Sequence, residues 1–469
     1  MNCIDLIIPI ENQVRELDAK LLLALVAARH GFSSIIGSRF EIDLRAAAFR
    51  PGIYLAKSMT ARSRKMFKIL TLAGHRIAAW DEEALIHPPD QTYFDRRLDP
   101  ISITYVSDLF AWGEDNAALW RRWPELPPNI AIHLTGNPRG DMLRPELKDF
   151  FAAATAELRK EHGDFLLVNT NFSFVNPFFP DQGLYQPGKF DEQGRPLYGR
   201  AAVGMEREFV DRLFRHKTNV FNSFKEMLPR LAAAFPALKI VIRPHPVENP
   251  AVYHELAASH ANLEVINKGN VIPWIRAAQA VIHNGCTTGV EAFMLEEPAV
   301  SYRAAVDESL DDGFYRLPNR LSHQCFSFPE LKNTLEKILR GELAAAGGEE
   351  RRRLMAGHLA SQDGPLACEL IASRLEKIVS TMTEQPAPGP TRRLEARLRG
   401  ETRRLSKKLK ACKPDSKYNP AFQRHRFPGF APTEIEKKIE RLHRSCGFTT
   451  PRPRLEQLHE LIYRVIPAS

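Results

Sequence analysis

Short apolar runs alternate along the chain with stretches in which apolar residues recur every three or four positions. Residues 4–10 form a run of a length suited to a buried parallel strand. A polar loop, Glu11-Asn12-Gln13, follows. Then Leu17, Leu21, Leu22, Leu25 and Val26 recur at helical spacing, with Gly31 placed to end the helix. Strand signals follow at 34–37, 52–55 and 75–80, with a helical pattern over 59–73, and later strands are expected at 102–106 and 130–134. Strands alternating with helices predict a parallel sheet covered on both faces, a Rossmann-like unit.

A helix over 146–162 leads into a second run of the same kind. Strands are expected at 165–168, 239–242, 263–266, 280–282 and 299–302. Helices are expected around Phe209 to Leu231, near Ala251, over 272–278 and from Thr287. Residues 169–200, rich in Phe, Pro, Gly and Asn and without periodicity, read as a long loop. The pattern breaks at 384–390, a Pro- and Gly-rich linker. Beyond it, 433–446 and 455–465 both show helical spacing. The organisation expected is therefore 1–150, a first Rossmann-like domain; 151–383, a second; and 384–469, linker and basic, partly helical tail.

At 469 residues, 44% hydrophobic and 26% charged, the chain has material for two cores. No signal peptide or membrane-spanning run is visible, which gives a cytoplasmic expectation. The six cysteines are scattered without a CxxC pair, so neither a zinc site nor a disulfide framework is indicated. The net charge of +9 is concentrated in residues 392–426. Such a run fits a solvated helix face, and it also fits peripheral contact with an anionic membrane. No nucleic-acid-binding signature accompanies it.

Two turns carry the strongest chemistry. Arg243-Pro244-His245-Pro246 directly follows a buried strand, where ligands bind in open α/β sheets. The prolines fix the backbone, and an Arg with a His suits a phosphate. His283-Asn284-Gly285-Cys286-Thr287-Thr288-Gly289-Val290-Glu291 follows another. There Gly285 and Gly289 permit close approach, and Thr287 or Thr288 can cap a helix whose free N–H groups bind anions. Glu291 fits a ribose contact as well as a surface acid. In the first domain, Asp81-Glu82-Glu83 follows a strand and could supply a general base, or form a solvated acidic turn. Asp108 is a substrate contact or, preferably, a helix cap. Asn137, Asn169 and Asn171 are candidates to line a cleft, and Arg15, Asp18 and Lys57 give weaker signals. There is no Walker loop, HExxH, GxSxG or Asp-x-Asp after a strand, so no metal is expected.

The set resembles the bacterial surface carbohydrate biosynthesis proteins and, more distantly, the capsule Kdo transferases and bacterial sialyltransferases. The motifs are Asp81-Glu82-Glu83, Ser107-Asp108-Leu109-Phe110-Ala111-Trp112-Gly113, Thr135-Gly136-Asn137-Pro138-Arg139, Arg243-Pro244-His245-Pro246 and the segment from His283 to Ala292. They span about residues 1–330, leaving out the basic tail. The resemblance implies a GT-B-like fold, two Rossmann-like domains facing each other across a cleft. It implies a metal-independent glycosyltransferase using a nucleotide sugar, CMP-linked and Kdo-like, as substrate rather than cofactor. The acceptor would be a saccharide or lipid-linked saccharide. Glu82 or Glu83 would be the base, His245 would meet the leaving group, and Thr287 with Thr288 would bind phosphate. Ala84 stands where the family's acidic turn has glycine. The alternatives are a CDP-polyol phosphotransferase, a sugar-nucleotide 2-epimerase and a non-catalytic scaffold of the same fold.

Overall fold

The computed structural model describes residues 3–314, 316–383, 388–412, 416 and 418–468. It divides into two compact units. One comprises Met1–Leu85, Tyr93–Phe150 and Ala356–Ser469; the other comprises Ile86–Thr92 and Phe151–Met355. Each is a doubly wound α/β layer structure, so the fold class is α/β with two Rossmann-like units.

The first unit holds strands β1 (Asp5–Ile10), β2 (Ser33–Ser38), β3 (Gly52–Ala56), β4 (Arg76–Ala79), β5 (Val106–Ala111) and β6 (Ala131–Leu134). They are parallel in the order β2-β1-β3-β4-β5-β6. The order reverses between β1 and β3, and that reversal opens a crevice at the carboxyl ends of these strands. The core on one face gathers Ile7, Ile35, Tyr54, Met66, Leu70 and Trp120, among others.

The second unit holds β7 (Phe165–Thr170), a hairpin of β8 (Tyr185–Phe190) and β9 (Pro196–Tyr198), then β10 (Lys239–Pro244), β11 (Leu263–Val265), β12 (Ala280–His283), β13 (Ala299–Tyr302) and β14 (His323–Cys325). Its sheet runs β11-β10-β7-β12-β13-β14, all parallel, with the reversal between β7 and β12. β7 explains why these strands read as unbroken apolar runs. Leu166 and Val168 pack with Val220 and Phe224 on one face, while Phe165 and Leu167 pack with Trp274 and Ile275 on the other.

Four expectations are corrected. Residues 102–106 are not a strand: Asp99 accepts from the Ser102 N–H at 2.7 Å and Pro100 opens a short helix, Pro100–Ile103, so β5 begins only at Val106. The 169–200 segment is not all loop, since it contains the β8–β9 hairpin. The second unit ends at Met355, and the chain from Ala356 returns to the first. Finally, 455–465 is an antiparallel hairpin, β15 (Arg454–His459) and β16 (Ile462–Ile466), whose second strand pairs with β2. This covers an edge that would otherwise be open. The approach is so close that a Cβ on Gly37 would lie 2.1 Å from the Leu461 carbonyl oxygen.

Residues 384–387 of the expected linker lie outside the described residues. The basic segment beyond it forms helices Pro390–Ala411 and Pro420–Arg426, followed by Pro432–Ser445. Several of its cations are structural. Arg403 donates to the Asp43 carbonyl at 3.0 Å. Arg426 and Lys438 reach Glu11 and Asp18 at 2.5 and 2.6 Å.

Candidate functional site

In the second unit, the register sets Arg243, Asn169 and His283 side by side on β10, β7 and β12, just before the strands end at the crevice. The three do different things. The Arg243 guanidinium donates to the Lys268 and Gly269 carbonyls at 2.8 and 3.1 Å and stacks over Trp274. Two of its five N–H donors thereby hold the loop after β11. His283 is fully buried. Its Nδ1 accepts the Gly285 N–H at 3.0 Å, and its Nε2 lies 2.8 Å from Ser322 Oγ, which itself donates to the Pro318 carbonyl. Burial pushes its pKa down to about 3, so the ring is neutral. Asn169 lies between them, 4% exposed, and neither its amide oxygen nor its amide nitrogen has a hydrogen-bond partner. A buried amide left with no partner costs about 1–3 kcal/mol, so a group that can bond it there is strongly favoured.

His245 stands one residue past the end of β10, half-buried. Its backbone N–H donates to the Thr170 carbonyl at 3.1 Å and to Glu248 Oε1 at 3.0 Å. The Val247 N–H points to its Nδ1 at 3.4 Å, which leaves the proton of the neutral ring on Nε2. Beneath it, Glu248 is 2% exposed and also accepts from Thr170 Oγ1 at 2.9 Å and Tyr253 Oη at 2.8 Å. Burial outweighs these donors and pushes its pKa up to about 7. Glu248 was not singled out from the sequence. Its signal was the carboxylate three residues after the His-Pro turn, spaced to reach back to it.

The helix Thr287–Met294 begins at the same crevice. Neither threonine is the N-cap: that position is Cys286, with no side-chain capping bond, so the expected Thr cap is corrected. The Thr287 and Thr288 hydroxyls are thereby not committed to capping their own helix. The Asn284 side chain is engaged with Asn171, accepting its N–H and donating to its carbonyl, both at 3.1 Å. The pair ties the loops after β7 and β12 together across the reversal. Gly285 has φ +85°, open to glycine at little cost. Gly289 has a packing reason of its own, because a Cβ there would meet the His283 ring at 2.5 Å. Glu291 is half-buried on the second turn. Burial raises the Cys286 thiol to about 11, which leaves it a poor nucleophile.

In the first unit the acidic turn separates into distinct roles. Asp81 is fully buried and bound by Arg97 and by Tyr93 Oη at 2.8 Å, so it is a structural anchor. Glu82 is 3% exposed, accepts from Trp80 Nε1 at 2.9 Å and lies 3.7 Å from Lys20 Nζ. Glu83 is half exposed, 3.5 Å from Arg15. Burial opposes its ionisation, but Arg15 and Arg97 outweigh that and hold its pKa below the usual carboxylate value. Of the three, Glu83 is the carboxylate that solvent reaches. Ala84 does not carry a left-handed backbone: among the described residues only Glu296 and Ser361 are non-glycine positions with positive φ.

The crevice between β1 and β3 holds a charge cluster that the sequence showed only weakly. Lys57 lies 2.7 Å from Glu11 and 3.2 Å from Glu16. Lys20 lies 2.5 Å from Glu16, and Arg39 lies 2.9 Å from Glu11. Against the cost of burial, these cations hold Glu11 and Glu16 well below the usual carboxylate range.

Asp108 and Asn137 are accounted for within the first unit. Asp108 is neither at the end of β5 nor a helix cap; it lies within the strand and accepts from His133 Nε2 at 2.8 Å. Asp108 and His133 line a cavity of about 810 Å³ with Arg76, Arg374 and Lys377, at the amino-terminal ends of β4–β6. Asn137 caps the short helix Pro138–Asp141, accepting from the Arg139 N–H at 3.0 Å.

Among the described residues no cluster of three or more His, Cys, Asp or Glu could hold a metal, and no helix is long and apolar enough to cross a membrane. No family model matches the chain, and no curated protein matches it in sequence. Solved structures do match. The wall teichoic acid polymerase TagF is 11% identical, over 81% of this chain and 90% of that one, with a TM-score of 0.48. The Methanocaldococcus jannaschii UDP-GlcNAc 2-epimerase, in complex with UDP-GlcNAc and UDP, is 12% identical over 81% and 100%, with a TM-score of 0.45. The S. aureus MnaA–UDP structure is 12% identical over 83% and 100%, with a TM-score of 0.44.

Proposed function

We propose that the protein is a metal-independent glycosyltransferase of bacterial surface polysaccharide synthesis, of the lipopolysaccharide, O-antigen or capsule kind. Its donor is a nucleotide sugar bound at the carboxyl ends of β7, β10 and β12. The observation that carries this reading is the partnerless amide of Asn169, buried where the strand order reverses and in register between Arg243 and His283, whose strands lead into the His245 turn and the Thr287 helix. Ligands of doubly wound sheets bind at such reversals.

In this reading a CMP-linked, Kdo-like sugar presents its phosphate to the Thr287–Thr288 helix start, where backbone N–H groups and the helix dipole favour an anion. The bond from the anomeric carbon to the phosphate oxygen breaks, and His245 Nε2–H stabilises the charge left on the CMP oxygen. The acceptor hydroxyl, on a saccharide or lipid-linked saccharide, attacks that carbon. Its proton passes to a general base.

The test is a thermal-shift series with CMP, CDP, UDP, GDP and ADP on the wild type, His245→Ala and Asn169→Ala. Saturation at a hundredfold over Kd stabilises by about 2.7 kcal/mol. A rise in Tm with CMP that both variants lose is the expected result. A shift with UDP alone would redirect the assignment to a UDP-sugar transferase or a 2-epimerase. No shift with any nucleotide would overturn it in favour of a scaffold.

A further inference from the structure

The helix Pro390–Ala411 carries six arginines and three lysines against two glutamates. One side of it is bolted to the first unit. Ala396 is fully buried, Lys407 is 8% exposed over Phe40 and Tyr418, and Arg403 is bonded to Asp43. The opposite side presents four leucines to solvent: Leu394, Leu398, Leu405 and Leu409, 59, 61, 60 and 75% exposed. At 100° per residue they fall within an arc of about 60°, so they form one stripe, roughly 22 Å long. Scattered exposed leucines need no explanation, but four in register on a single helix do.

The flanks of the stripe indicate what covers it. Arg397, Arg404 and Lys408 project on one side, Arg399 and Lys410 on the other, and all but the half-buried Arg404 are exposed. The two glutamates are matched locally, Glu395 with Arg399 at 2.7 Å and Glu401 with Arg404 at 3.4 Å. A second copy laid on the stripe would bring like-charged rows together. A surface that is apolar inside and anionic outside matches both the leucines and the cations, and such a helix lies in the interface with its long basic side chains reaching the headgroups.

We infer that the leucine stripe of Pro390–Ala411 docks the protein on an anionic lipid bilayer, lying in the plane of the surface. This names the membrane-facing element, which charge alone did not, and it stands apart from the donor assignment. Because the helix is fixed to the first unit on its other side, docking would hold that unit at the surface.

Full-length protein is sedimented with phosphatidylcholine vesicles with and without phosphatidylglycerol, as wild type and as Leu398→Gln/Leu405→Gln. Both leucines are largely exposed, so the variant should keep the wild-type circular dichroism and Tm. The expected result is binding that requires phosphatidylglycerol, weakens with salt, and falls roughly tenfold or more in the variant. Equal binding by both proteins, or no binding by the wild type, would overturn the inference. So would a wild-type dimer that the variant dissolves, since the stripe would then face a second copy. Arg397→Ala/Lys408→Ala gives an independent check: it should reduce the salt-sensitive part of binding while the leucines remain.

Discussion

Gly289 distinguishes two reasons for a glycine at the start of a helix: room for a ligand, or room for the protein itself. Replacing it with alanine places a Cβ 2.5 Å from His283 Nε2 and 2.6 Å from Cε1. The ring cannot readily retreat. It is fully buried, and both nitrogens are held, by the Gly285 N–H and by Ser322 Oγ. Relief to an ordinary contact needs a shift of about 1 Å, and overpacking of this kind costs roughly 1–3 kcal/mol. Alanine's better helix propensity returns about 1 kcal/mol at most. Gly289→Ala should therefore destabilise the second unit by about 1–2 kcal/mol, or lower its Tm by roughly 2–8 °C for a unit of this size. Calorimetry on a double-mutant cycle isolates the cause. In a His283→Ala background the same change should be neutral or stabilising, giving a coupling of about 1 kcal/mol or more. An unchanged Tm and no coupling would refute the packing explanation. Loss of nucleotide binding at unchanged stability would assign the glycine to the ligand instead.

Three further outcomes follow from buried charge and close approach. Glu248 has its pKa raised to about 7 from the usual 4.5 of a glutamate, so its contribution is fully present below the unfolded value and is lost as pH rises through the folded one. Between about pH 4.5 and 7 this amounts to about 3 kcal/mol, and Glu248→Gln should flatten that part of the stability–pH curve measured by urea unfolding. Lys57→Met leaves Glu11 and Glu16 short of a cation and should cost about 3–5 kcal/mol near neutral pH. The deficit should shrink at lower pH as those carboxylates take up protons; a pH-independent deficit in Tm would contradict this account. Gly37→Val should displace the β15–β16 hairpin, because the new side chain meets the Leu461 carbonyl. Faster amide exchange in Ile462–Ile466, with β7 and β10 unaffected, is the expected signature.

Most of the strand and helix alternation was legible in the chain. Each central strand is buried on both faces, so its residues had to be apolar throughout, and each covering helix had to be apolar on one side. The turns after β10 and β12 were legible for a related reason: polar, proline- and glycine-marked residues directly after an apolar strand stand at its carboxyl end. What each residue does there was not legible. Arg243 read as a phosphate ligand, and its bonds to two carbonyls about 25 residues away could not be read from the chain. Asn284 and Asn171 bond each other across 113 positions. Lys57 gave a faint signal alone and became the hub of a cluster only when β1, β3 and the first helix met. Residues 455–465 satisfied a helical spacing, but the open edge of β2, more than 400 residues earlier, made them a strand. Periodicity is local and survives in one dimension. Hydrogen-bond partners, edge pairing and the orphaned amide of Asn169 depend on segments distant in sequence, and only the folded chain brings them together.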